Sequence, residues 1–134
     1  MTEPVADEQT SVTTVVSRVV DHPVKKVWGV LLTPEGQSAL LGEGALLGDK
    51  GDTWKSVDGT WGVTRSYHPC EEIRFSWHKD DDSPKTWVDV TLTELSPTQT
   101  KITISHDHAG VDFDVVKLTA HWKAALSRID HNAL

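Results

Sequence analysis

The stretch DFDVVKLTAHWKAALSRIDHNAL, residues 112–134, decides the fold. Val115, Leu118, Trp122, Ala125, Leu126 and Ile129 recur at helical spacing and share one side of a helix that turns ~100° per residue. Lys117, Ala124 and Arg128 fall on the opposite, solvated side. With no Gly or Pro inside it, the segment predicts a helix of about six turns. Asp112 and Asp114 lie near the positive end of its dipole, and Lys123 and Arg128 toward the negative end. A helix this amphipathic needs a large apolar surface opposite it, and the rest of the chain must supply that surface.

Upstream, the pattern is strands. Thr10 to Asp21 is rich in β-branched residues and predicts a strand. Asp21-His22-Pro23 then offers an N-cap and a first-turn proline. Val24, Val27, Trp28, Leu31 and Leu32 predict an amphipathic helix over 23–32. Thr33-Pro34-Glu35 repeats the signature and starts a second short helix ending near Leu41. From there the chain alternates with period two. Gly51–Val57 and Thr60–Tyr67 flank an Asp58-Gly59 hairpin turn. Glu72–His78 sets Ile73, Phe75 and Trp77 on one face. Thr86–Leu95 does the same with Val88, Val90 and Leu92, and Thr100–His106 with Ile102 and Ile104. One strand, two helices, a run of antiparallel strands and a long final helix indicate an α+β fold, with a curved antiparallel sheet of about six or seven strands wrapped around the C-terminal helix.

Composition narrows the function. The chain has 134 residues with 13 Lys+Arg against 20 Asp+Glu, a formal net charge of −7. That size fits one domain, expected over 10–134 after a flexible start at 1–9. The acidic balance argues against a nucleic-acid or anionic-membrane binder. The N-terminal residues carry no signal pattern, and no run reaches the ~20 apolar residues of a membrane span, so a cytoplasmic protein without membrane insertion is expected. The lone cysteine, Cys70, lies between a proline and two glutamates, which suits a small turn residue better than a nucleophile.

The ordered series of motifs resembles the SRPBCC (START-like, helix-grip) superfamily, and within it the bacterial branch related to the activator of heat shock protein 90 ATPase. The resemblance rests on His22-Pro23-Val24-Lys25-Lys26-Val27-Trp28, Leu32-Thr33-Pro34-Glu35-Gly36, Leu41-Gly42 and the Gly59–Gly62 hairpin. It continues through Ile73-Arg74-Phe75-Ser76-Trp77, Val88–Leu92, Thr100–His106 and Ala120-His121-Trp122-Lys123-Ala124-Ala125-Leu126. Leu40 stands where many relatives carry a Trp. The resemblance implies a cavity between sheet and final helix that takes a small hydrophobic molecule such as a lipid, polyketide or aromatic compound. The domain would then be a carrier, sensor or sequestering protein. A polyketide cyclase or hydrolase, and a chaperone-contacting module, are the alternative readings. A homodimer or chaperone contact stays open as a protein partnership.

Six Trp residues in this chain are unusual, and pockets for hydrophobic ligands are largely apolar and aromatic. Trp77 is in phase with Ile73 and Phe75, and Trp122 is central to the helix stripe. Trp54 and Trp61 flank the hairpin turn as a flap. With Phe75, Val90, Ile104, His106 and Leu118 these form the expected ligand-binding cavity. Trp28 reads as packing, and Trp87, out of phase with Val88 and Val90, as outer sheet face. His106 and His108 share a strand face and, with His121 and Asp112, have the ligand types of a zinc or iron site. The alternation fails at His108-Ala109-Gly110, so these are expected to be ordinary imidazoles, with no metal or cofactor. The aspartates of Lys79–Pro84 lack the Gly and distal Glu of a calcium loop. No Gly-x-Ser-x-Gly elbow is present, so no catalytic residue is assigned. Arg65, His106 and His121 are the polar candidates to point into a cavity, and capping its mouth or facing water is the reading favoured for them on general grounds.

Overall fold

The computed structural model describes residues 13–109, 111 and 113–134. The expected flexible start at 1–9, the first three residues of the predicted strand, and Asp112 lie outside the described residues. Strand β1 (Thr13–Val20) leads into helices α1 (Val24–Leu31) and α2 (Pro34–Leu41). Strands β2 (Thr53–Lys55), β3 (Trp61–His68), β4 (Glu72–Trp77), β5 (Thr86–Ser96) and β6 (Gln99–Asp107) follow, and then helix α3 (Val115–Arg128). All strands pair antiparallel in one curved sheet of order β1-β6-β5-β4-β3-β2. The first strand thus closes the edge beside the last, and α3 lies across the concave face against β1 and α2.

The inner face follows the period-two pattern. Ile73, Phe75 and Trp77 of β4, Val88, Val90 and Leu92 of β5, and Ile102 and Ile104 of β6 are buried under Leu118, Trp122, Ala125 and Leu126 of α3. Registers Phe75↔Val88 and Val90↔Ile104 put these side chains in rows across the sheet.

The final helix is shorter than its sequence suggests. Asp114 caps it, accepting hydrogen bonds from the Val116 and Lys117 N–H groups. The five residues that follow it, Ile129–Ala133, form a π-helical turn. Val115 belongs to the predicted stripe but, as the first residue after the cap, is exposed. Arg128 is not free in solvent: its Nε donates to the Ala39 carbonyl at 3.1 Å and ties α3 to α2. Asp21 does not cap α1; Pro23 holds that position, and Asp21 accepts from Gln99 instead. Thr33 does cap α2, accepting from the Gly36 N–H. The strand expected over 51–57 shrinks to three residues, since turns at positive-φ Gly48 and Gly51 occupy the preceding segment. Cys70 sits in its turn at φ 62. No described helix is long and apolar enough to cross a membrane.

Gly62 marks the closest approach in the sheet. A Cβ there would lie 1.8 Å from the Ser76 carbonyl oxygen and 2.8 Å from the Trp54 indole nitrogen. Gly62→Ala must therefore push β3 off β4 or displace Trp54. Overpacking of this kind costs about 1–3 kcal/mol, read as a lower urea midpoint at unchanged m-value.

Candidate functional site

Where β4, the end of β6 and α3 converge, the interior is aromatic. Trp77 is the hub, with its ring centroid 4.9 Å from His106, 5.9 Å from Phe113, 5.8 Å from His121 and 6.1 Å from Trp122. Behind it, His106 is fully buried and held on both ring nitrogens. The Trp122 indole N–H donates to Nδ1 at 3.0 Å, and Nε2 lies 2.8 Å from the Thr86 hydroxyl. That hydroxyl donates its single hydrogen to the Trp77 carbonyl at 2.7 Å. It must therefore accept from Nε2–H, which assigns the neutral Nε2–H tautomer to His106. Burial, helped by the nearby His108 and His121, pushes the His106 pKa down to about 3. His108 pairs through Nε2 with the Thr14 hydroxyl at 2.9 Å.

In front of Trp77 a groove of about 350 Å³ opens between the start of α3 and the β2–β3 hairpin. Trp77, Phe113 and Leu118 supply its apolar base; Asp58, Thr60, Lys79, Asp114, Lys117 and His121 supply its polar rim. A second, wider hollow of about 640 Å³ runs between α2, the hairpin tip and the end of α3, and shares Asp58 and His121 with the first. Its rim carries Glu35 and Glu43 as well as Asp58, and it has no aromatic wall. The smaller groove, with its aromatic base, is the better match to a hydrophobic guest.

The hairpin tip between them is ordered from within. Asp58 accepts from the Thr60 N–H at 3.0 Å, from the Thr60 hydroxyl at 2.8 Å, and from the Ser56 hydroxyl. Burial acts to raise its pKa, but these hydrogen bonds and the neighbouring His121 outweigh it and hold the carboxyl below the usual range. His121 is shifted down, first by burial and then by Arg128, with Asp58 partly opposing.

The structure brings together part of the expected cavity. Trp77 and Leu118 border the groove. His106 and Trp122 lie directly behind Trp77 without exposed surface, and Phe75, Val90 and Ile104 are buried further along the inner sheet face. Trp54 is buried edge-on against Phe75. Trp61 lies apart from the groove, stacked on His78 at 3.9 Å with its N–H on the Asp80 carbonyl. Arg65 does not point inward: it sits on the outer face over Trp87, which also has Arg74 and Lys85 within 5.5 Å. Phe113, Lys79 and Lys117 were not anticipated as groove residues. Phe113 falls inside the predicted helix but opposite its apolar stripe, and in the structure it precedes α3, so that phase does not apply to it; the two lysines read as solvated in isolation.

Residues 21–133 match the family described as Activator of Hsp90 ATPase homolog 1-like protein. The chain belongs to this family. Solved structures agree on the fold. DynU16, from the dynemicin biosynthetic locus, superimposes with a TM-score of 0.75 at 21% identity over 89% of this chain, which spans only 46% of that protein. CalU16 from Micromonospora echinospora gives 0.74 at 19% identity, covering 87% of this chain and 73% of its own. The Aha1 dimer from Colwellia psychrerythraea gives 0.73 at 15% identity, covering 91% and 96%. At these identities the likeness is one of fold. No curated protein sequence matches the chain.

Proposed function

We propose that this domain binds a small hydrophobic, aromatic-like molecule in the groove between α3 and the β2–β3 hairpin, as a cytoplasmic carrier, sensor or sequestering protein. The observation that carries this reading is the base formed by Trp77, Phe113 and Leu118 under an opening of about 350 Å³. That volume lies within the range of small-molecule pockets, ~300–1,000 Å³. Binding without chemistry is favoured because His106, the most deeply placed imidazole, has both nitrogens engaged in hydrogen bonds. A general base needs a free lone pair within reach of its substrate.

Two other readings follow from the family. A cyclase or hydrolase would have to rest on His121, whose Nε2 is buried without a partner among the described residues. A chaperone contact is suggested by a relative described as an HSP90 activator from Plasmodium falciparum, 12% identical with a TM-score of 0.71. Neither has a residue set on this chain as complete as the aromatic groove.

The reading is tested by titrating the protein with 2-naphthalenemethanol, a neutral aromatic probe, by calorimetry. Leu118→Trp should fill the groove and weaken binding by about tenfold or more, equivalent to ~1.4 kcal/mol, while thermal unfolding stays cooperative. Unchanged affinity in that variant, or no binding to the unaltered protein, would overturn it.

A further inference from the structure

The convex face of the sheet gathers positive charge from four separate segments of an acidic chain. Trp87 is half-buried there. The Arg65 and Arg74 guanidinium carbons lie 5.5 and 5.4 Å from its ring centroid, and the Lys85 Nζ lies 5.4 Å from it. A shallow hollow of about 390 Å³ beside the ring is lined by Lys50, Arg65, Ser66, Arg74 and Trp87, with no carboxylate. All four cations are exposed. Arg74 has a counter-charge in Asp89 at 3.5 Å; Lys50, Arg65 and Lys85 form no ion pair among the described residues. Asp107, opposite Trp87 on β6, accepts from the Ala109 N–H instead. Arg65 reaches this face through an irregularity in the ladder. The register of β3 on β4 shifts between Thr64 and Ser66, which leaves Arg65 opposite no residue of β4. An extra residue of this kind re-aims a side chain. Like charges this close repel one another, and at exposed positions a shared ring offsets little of that. The arrangement runs against the composition of a chain with a formal net charge of −7.

We infer that this face is a docking surface for an acidic segment of another protein, its carboxylates received by Lys50, Arg65, Arg74 and Lys85 around Trp87. Charge complementarity carries the assignment, and the size of the cluster selects the partner. Three cations around one ring form a patch that a short chain spans, since alternate side chains of an extended segment stand ~7 Å apart on one face. A guanidinium held against a ring face keeps its N–H edge free for a carboxylate fork. A nucleic acid or an anionic membrane would extend past the cluster into the field of an acidic protein; a few Asp or Glu residues would not. The face is separate from the groove, which α3 borders on the concave side, and the inference does not depend on what binds there.

The probes are a blocked hexaglutamate peptide, its hexaglutamine counterpart and a short DNA duplex. Each is titrated into the full chain at low salt by calorimetry, and the indole N–H resonances of ¹⁵N-labelled protein are followed in parallel. Hexaglutamate should bind about tenfold or more tighter than hexaglutamine, as several charge-assisted pairs imply, and should weaken as salt is raised. It should move the indole signal that is missing in Trp87→Phe. Arg65→Gln and Lys85→Gln, neither of which strands a paired carboxylate, should each weaken hexaglutamate binding by about threefold or more. Lys123→Gln removes the same charge from the exposed side of α3 and should leave binding unchanged. The remaining indole signals report whether each variant is folded. Equal affinity for the two peptides, an unmoved Trp87 signal, or equal weakening by Lys123→Gln overturns the inference. So does tighter binding of the duplex than of hexaglutamate, which would give the face to a nucleic acid. Self-association in sedimentation that Arg65→Gln abolishes would give it to a second copy of the chain, and overturns the inference as well.

Discussion

Trp122→Ala is expected to lower the unfolding free energy by about 3–5 kcal/mol, the range for truncating a buried Trp to Ala in a close-packed core. The indole is fully buried, with ring contacts to Trp77, His106 and His121 at 6.1, 5.7 and 4.7 Å. Truncation also removes the N–H that His106 Nδ1 accepts, and an unmet buried acceptor adds a penalty of about 1–3 kcal/mol unless water enters the cavity. A domain with a typical 5–15 kcal/mol of stability would lose a third or more of it. Trp122→Phe separates the two contributions. It keeps most of the ring volume and loses the donor, so its cost should be nearer the hydrogen-bond penalty alone. Urea unfolding of the three proteins measures both. A cost below about 1 kcal/mol for the alanine variant would mean that the indole borders open space and packs against nothing that its loss exposes.

The same residue shows how far the sequence could be read. Trp122, Leu118, Ala125, Leu126 and Ile129 announce their burial by helical spacing, and Ile73, Phe75 and Trp77 by alternation, because each period projects onto one face of a single element. These were enough for the curved sheet and the gripped helix. What periodicity cannot carry is where elements end and what they meet. Val115 keeps the phase of the stripe but, first after the cap, stays exposed, and Arg128 looks solvated until α2 brings the Ala39 carbonyl to it across 89 residues of sequence. The groove depends on just such meetings. Lys79 comes from the loop after β4, Lys117 from the first turn of α3 and Asp58 from the hairpin tip, and each reads locally as exposed polar chain. Trp61 and Trp77 are equally conspicuous in the sequence. Only Trp77 reaches the groove, because the phase of β4 turns it inward while Trp61 stacks on His78 away from it.

Acid should destabilise this protein well before its carboxylates protonate. His106 is buried as a neutral imidazole with its pKa pushed down to about 3, against 6.5 for an ordinary histidine. Between those values the unfolded chain binds a proton that the native chain refuses. The stability slope with pH is therefore positive in that window. The full contribution is present above pH ~6.5 and is lost as pH falls, at up to ~1.4 kcal/mol per pH unit. His121, also shifted down by burial, acts in the same direction. So does Asp58, but only at lower pH, where its carboxylate protonates. Asp89, which burial pushes up against the pull of Arg74, opposes them within the carboxylate range. Between pH 6.5 and 5 the histidines should dominate, with a loss of about 1.6 kcal/mol from His106 alone. Unfolding in urea at pH 8, 6.5, 5.5 and 5 gives the slope as a difference in bound protons. His106→Gln has no titrating group at this position and should reduce the slope by close to one proton at pH 5, whatever its own stability. Parallel slopes for the two proteins would show that His106 accepts a proton in the native state. The Trp122 N–H would then have to release Nδ1, and the network that fixes the tautomer would not be the one that holds the helix to the sheet.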